Sequence, residues 1–152
     1  MVRRLHTEIE IQAASDRVWE ALTDFAAYPS WNPFIVQADG QPVPGARLEL
    51  QMCLPGRRPM TFRPEVLEAT PGHRLRWLGH LLVPGLFDGE HIFTIEPSGP
   101  GQVRLTQQEE FRGLLAPLIL AFIAKPTQQG FSQMNQALKT RVEHPAPTET
   151  TA

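Results

Sequence analysis

The chain has 152 residues, 41% of them hydrophobic, and a formal net charge of −2 from 14 basic and 16 acidic side chains. This is the usual size of one domain with a buried core, and its scattered charges form no basic stripe, which sets nucleic-acid binding aside. A single cysteine, Cys53, excludes an internal disulfide and a cysteine-cluster metal site, and reads as a small apolar strand residue.

The N-terminus, MVRRLHTEIE, has two arginines followed by polar alternation, so it is neither a secretory signal nor a membrane span; a cytoplasmic protein is expected. Residues 3–11 alternate with period two, Leu5, Thr7, Ile9 and Ile11 on one face and Arg4, His6, Glu8 and Glu10 on the other, which predicts a half-buried strand. Ser15 is the expected N-cap of a helix running to about Asp24, with Asp16 in its first turn and Val18, Trp19, Leu22 and Phe25 at helical spacing.

The next stretch, FAAYPSWNPF (25–34), places Phe25, Tyr28, Trp31 and Phe34 at every third position but carries Pro29 and Pro33, so it cannot be one regular helix. A broken second short helix is predicted, ended by Pro33, which aims Phe34 into the next strand. Proline–glycine turns at 42–45, 54–59, 70–72, 83–85 and 97–101 then separate RLELQM, MTFRPEVLEA, RLRWLGHL, DGEHIFTIE and QVRLTQQEEF. Five or six antiparallel strands in succession are implied. The C-terminal region changes period: LLAPLILAFIA is apolar nearly all round, Pro126 marks a kink, and Phe131, Met134, Leu138 and Val142 form one helix face. Residues 1–143 constitute one domain, and the polar, proline-rich 144–152 is expected to be a disordered tail.

A hairpin centred near Gly99 would set Ile95 opposite Val103, Phe93 opposite Leu105 and His91 opposite Gln107, with Glu109 one diagonal step further and Phe111 beyond it. A histidine, a glutamine and a glutamate would then share an otherwise apolar face, unless a one-residue bulge turned Gln108 and Glu110 inward instead. Arg63, Arg74 and Arg76 fall on the opposite parity and read as the wet face. His80 and Asp88 flank the apolar loop LLVPGLF (81–87) and read either as solvated turn residues or as partners of a ligand head group. There is no phosphate-binding glycine loop, no GxSxG elbow and no HExxH spacing, so no cofactor and no metal are expected. LLAPLILAFIA is shorter than the ~20 residues that span a bilayer, which excludes stable membrane insertion.

The succession IxAASDRVWEALTDFAAYPSWNPF, PG–R–L, GHRLRW, GEHIFTIE, VRLTQQEEFRGLLAPL and QMNQALKTRVE resembles the START-related helix-grip superfamily (SRPBCC), in its polyketide cyclase/dehydrase-like branch. The resemblance covers about Leu5 to Glu143. It implies an α+β helix-grip fold: a curved antiparallel sheet of six to seven strands wrapped around a long C-terminal helix, with two short helices after the first strand. It also implies an apolar pocket between sheet and helix that holds a hydrophobic small molecule such as a lipid, polyketide or aromatic compound.

On that reading FAAYPSWNPF, the 81–87 loop and Leu114–Ala124 gate the pocket. Phe25, Tyr28, Trp31 and Phe34 would form one wall. Trp77, Leu82, Phe87, Phe93, Gln107 and Phe111 come from the sheet, and Leu118, Phe122, Phe131 and Met134 from the last helix. Three functions stay open: a binding or carrier protein; a small cyclase or dehydratase with Glu109 and His91 as general acid/base; and a protein-interaction module like the chaperone-activator relatives of the superfamily. Oligomeric state is not legible at this level.

Overall fold

The computed structural model describes residues 2–145. Strand β1 (Arg3–Ile11) buries Thr7 and Ile11 and exposes Arg4, His6 and Glu8, as its alternation requires. Helix α1 (Ser15–Thr23) follows, buried through Val18 and Leu22. Ser15 is not its cap: Ala14, extended at φ −72° and ψ 154°, holds that position without a side-chain bond, and Ser15 is the first helical residue. The acidic first turn is present, the Asp16 carboxylate accepting the Arg17 N–H at 2.9 Å, which favours the helix dipole.

FAAYPSWNPF is broken as its prolines demand, into a 3-10 turn (Phe25–Ala27) and a one-turn helix α2 (Tyr28–Trp31) with Pro29 in its first turn. Asn32 ends it, its Oδ1 accepting the backbone N–H groups of Phe34 and Ile35 at 3.0 and 2.9 Å. The chain then enters β2 (Ile35–Asp39), β3 (Glu49–Met52), β4 (Met60–Phe62), β5 (Glu65–Thr70), β6 (Arg74–Leu81), β7 (Phe87–Gly99) and β8 (Gln102–Arg112). Eight strands replace the six to seven expected. MTFRPEVLEA divides at Arg63–Pro64, since proline cannot donate to a ladder, and IVQAD after Phe34 forms a strand of its own. Cys53 lies one residue beyond β3 and is half-buried, outside any strand.

All pairings are antiparallel, in the order β1-β8-β7-β6-β5 and β2-β3-β4. The two parts join through residues 45–48, which pair with 64–66: Gly45 N donates to Val66 O and Leu48 N to Pro64 O, both at 2.8 Å. The β7–β8 register is shifted by two from the expected one. Ile95 faces Leu105, Phe93 faces Gln107, His91 faces Glu109 and Gly89 faces Phe111, with a bulge between Pro97 and Gly99. The turn is therefore centred one residue later, and a shift of two in pairing preserves which side chains face inward.

Helix α3 (Ala116–Glu143) packs along β1 and β8 and is continuous through Pro126. Proline has no N–H for the Phe122 carbonyl; the Arg57 guanidinium Nη2, from the β3–β4 segment, donates to that oxygen at 3.4 Å instead. The sheet wrapped on one long helix, with two short helices after β1, is the helix-grip arrangement. The polar tail expected from residue 144 lies outside the described residues from 146 onward.

Candidate functional site

Two apolar clusters hold the molecule together. The larger joins Phe25, Tyr28, Phe34, Leu50, Leu75, Phe93, Phe131 and Leu138 with their neighbours, and the smaller joins Phe87, Phe111, Ala116 and Leu120. Between them, under α3 and above the inner face of the sheet, lies a cavity of about 180 Å³. Its walls come from both clusters and from the strand ends: Phe34, Leu50, Met52, Trp77, Phe87, Phe111, Ile119 and Ile123 are apolar, while His91, Glu109, Arg57 and Thr127 bring polar atoms.

His91 and Glu109 reach this space because odd-numbered residues of β7 and β8 face inward, so Val103, Leu105, Gln107, Glu109 and Phe111 lie on the core side. His91 is 1% exposed and ringed by aromatics, with centroids 5.2 Å from Trp77, 4.5 Å from Phe93 and 4.9 Å from Phe131. Its Nε2 lies 2.8 Å from Gln107 Oε1. Gln107, fully buried, donates through Nε2 to Asn135 Oδ1 at 2.8 Å. Asn135 Nδ2 donates to Thr7 Oγ1 at 2.9 Å, and Thr7 Oγ1 donates to the Gln107 carbonyl at 3.2 Å.

With each amide oriented by its partners, Gln107 Oε1 must accept, so Nε2 of His91 carries a hydrogen and Nδ1 points the other way. Nδ1 stands 3.3 Å from Glu109 Oε2, close enough for an ion pair but not aligned as a hydrogen bond, and it has no hydrogen-bond partner. Glu109 is itself 14% exposed at the side chain. Gly89, directly opposite Phe111, makes room for it: a Cβ at position 89 would sit 2.5 Å from Glu109 Oε1.

Of the residues expected at the pocket, Phe34, Trp77, Phe87, His91, Glu109 and Phe111 come together on its wall. The remainder do not. Phe25 and Tyr28 are buried in the larger cluster as an edge-to-face pair 5.5 Å apart, and Tyr28 donates its hydroxyl to the Leu22 carbonyl. Burial pushes that phenol well above its ordinary range. Trp31 packs edge-on to Tyr28 and borders a shallow groove beside Gln133 and Arg141. Phe93, Phe131 and Met134 are core, and Gln107 supports His91 from behind. Leu82, Leu118 and Phe122 point to solvent, 78%, 63% and 69% exposed.

The mouth differs from the expected one for the same reason. FAAYPSWNPF contributes only Phe34, and its place is taken by the β3–β4 segment through Leu54, Arg57 and Met60, which the polar turn LPGRRP did not announce. Loop 82–86 is tied to the start of α3, Leu114 N donating to Gly85 O at 3.0 Å and Leu115 N to Leu86 O at 2.9 Å. His80, which borders the cavity at the end of β6, pairs with Asp88 at 2.7 Å, and that hydrogen bond holds the Asp88 carboxyl below its usual range. Arg76 lies outward, bridging Glu68 and Glu90. Among the described residues no group of three metal-ligating side chains occurs, and no helix is long and apolar enough to cross a membrane.

The family model described as polyketide cyclase/dehydrase and lipid transport matches residues 2–143. No curated protein matches the chain. Among solved structures, a START superfamily protein from Mycobacterium smegmatis is 22% identical, with 94% of this chain and 99% of that one covered and a TM-score of 0.72. Norcoclaurine synthase from Thalictrum flavum, in complex with dopamine and hydroxybenzaldehyde, is 14% identical over 97% of this chain and 90% of that one, with a TM-score of 0.73. The di-domain ARO/CYC StfQ of the steffimycin biosynthetic pathway is 13% identical over 94% of this chain and 51% of that one, with a TM-score of 0.75. At these identities the likeness is one of fold.

Proposed function

The chain belongs to the polyketide cyclase/dehydrase and lipid transport family, and from that premise we propose that it binds a hydrophobic small molecule in the cavity between its sheet and its C-terminal helix. The observation that carries this reading is the gap between the two apolar clusters, about 180 Å³ walled largely by aromatic and aliphatic side chains. Void on this scale leaves its lining without packing partners, and filling it restores those contacts. Each 100 Å² of apolar ligand surface taken from water adds roughly 2.5 kcal/mol of binding free energy. One fold neighbour, the norcoclaurine synthase holding dopamine and hydroxybenzaldehyde, supports a compact organic ligand.

Native mass spectrometry of freshly purified protein tests the reading. A discrete adduct that disappears on denaturation, and that solvent extraction identifies as an apolar compound, is the expected result. A bare mass that stays bare after incubation with apolar compounds of one or two rings would refute it.

A second reading has one observation of its own. An imidazole nitrogen and a carboxyl oxygen 3.3 Å apart in an apolar cavity have the geometry of a general acid/base pair for a cyclisation or dehydration, with Glu109 and His91 moving the protons. Glu109→Gln should then abolish turnover of a reactive carbonyl substrate while leaving its binding intact; equal turnover in the variant removes catalysis and leaves the binding function standing.

A further inference from the structure

The chemical class of the ligand follows from hydrogen-bond bookkeeping inside the cavity, and this step rests on the binding function proposed above. His91 Nε2–H is committed to Gln107, so the nitrogen facing Glu109 is Nδ1. Glu109 has only this histidine within ion-pair distance among the described residues, no lysine or arginine reaching its carboxyl. Two arrangements of hydrogen are open to the pair. Either the imidazole carries a second hydrogen facing Glu109 Oε2, or the carboxyl carries one facing Nδ1. In both, the other oxygen, Oε1, is left as an acceptor on the cavity floor over Gly89, and no hydrogen bond from the described residues reaches it. Glu109 Oε1 keeps contact with the open cavity, 14% of the side chain being exposed; a ligand filling that cavity would cut the oxygen off from water, and an acceptor enclosed without a donor is costly.

The space available limits what can satisfy it. At about 180 Å³ the cavity exceeds the roughly 150 Å³ engineered void that admits benzene, and falls short of the roughly 300 Å³ at which drug-sized sites begin. A long acyl chain or a folded multi-ring skeleton exceeds that volume. Trp77, Phe87 and Phe111 form flat apolar walls, and Phe87 and Phe111 stack at 5.3 Å, a lining that suits a compact ring better than a polar body.

We infer that the site takes a compact apolar alcohol or phenol of one or two rings, whose hydroxyl donates a hydrogen bond to Glu109 Oε1 while its hydrocarbon part fills the space under α3. Gly89 is a positioning residue in this arrangement, since any side chain there would displace the accepting oxygen.

Matched ligands separate the hydroxyl from the ring. Isothermal titration calorimetry of the unmodified protein with 4-ethylphenol and with 4-ethyltoluene should show the phenol binding roughly threefold to a hundredfold more tightly, the range that hydrogen bonds to a neutral or an ionised carboxyl span. In Glu109→Leu the preference should vanish while 4-ethyltoluene still binds. Equal affinity of the two compounds for the unmodified protein overturns the donor requirement and leaves the hydrophobic cavity in place. Binding of neither compound overturns the cavity reading and this inference with it. A phenol preference that persists in Glu109→Leu assigns the hydroxyl to another group and overturns the role of Glu109. Because the first comparison needs no variant, it decides the matter even if the leucine variant does not fold.

Discussion

Gly130 shows how closely one side chain can control the geometry of this protein. On the buried face of α3, it leaves room for the ring of Phe34, which a Cβ at position 130 would enter, and Phe34 in turn meets Phe131 edge-to-face at 5.4 Å. Alanine would improve helix propensity by about 1 kcal/mol, but overpacking a dense core costs about 1–3 kcal/mol, and Phe34, fully buried against Phe131, can yield only toward the cavity it lines. Gly130→Ala should therefore lose up to about 2 kcal/mol of stability, read as a lower urea midpoint at unchanged slope. The inward set His91, Gln107, Glu109 and Phe111 was legible as one of two choices, since alternation along a strand assigns residues to two faces and only a bulge, which alternation does not mark, would have turned Gln108 and Glu110 inward instead. Asn135 and Thr7 were not legible as partners of Gln107. They stand 28 and 100 residues from it in the chain, and only the packing of α3 across β1 and β8 brings the three amide and hydroxyl groups together.

At the scale of elements, the period of each segment announced its type, and the chemistry of proline decided the boundaries. Pro64 split one expected strand into two, and Pro29 started a one-turn helix. Pro126 is the opposite case, a proline carried inside a continuous helix of 28 residues. Its cost, up to about 3 kcal/mol in a helix interior, is offset in part by the Arg57 donor at the Phe122 carbonyl and by the packing of Thr127, Gly130 and Phe131 just beyond it. Replacing Pro126 by alanine restores a backbone donor, and the variant should be more stable by about 1–3 kcal/mol in chemical denaturation. An unchanged or lower midpoint would mean that the bond from Arg57 stabilises the helix more than its 3.4 Å length suggests. The β7–β8 register was misplaced by two because the bulge at Pro97–Gly99 moves the turn, and a bulge leaves no mark in hydrophobic alternation.

The whole molecule is a sheet closed on one helix around two unequal cores, and the cavity is the space that neither core fills. Six of its large exposed apolar side chains, Met60, Leu82, Val83, Leu114, Leu118 and Phe122, belong to the three segments that surround the mouth. If the space between the cores is where the ligand sits, Ile123→Trp, which fills it from α3 without touching the His91–Gln107–Asn135 bonds, should abolish the native-mass adduct while the far-ultraviolet circular dichroism of the fold persists. An adduct retained in that variant places the ligand elsewhere.

The sequence by itself determined the architecture: half-buried strands, two short helices and a long C-terminal helix, with the inner side of one hairpin narrowed to His91 with either Gln107 and Glu109 or Gln108 and Glu110, a choice the strand register settled for the first pair. Those follow from periodicity and turn chemistry, which are local. Only the tertiary structure decided which apolar residues line a cavity and which are core. It placed Phe25, Tyr28, Phe93, Phe131 and Met134 in packed layers, left Leu82, Leu118 and Phe122 in solvent, and brought Leu54, Arg57 and Met60 to the mouth. Hydrophobicity says that a side chain leaves water. Whether it then meets another side chain or an empty space depends on distances between elements far apart in the chain, and those are set by packing.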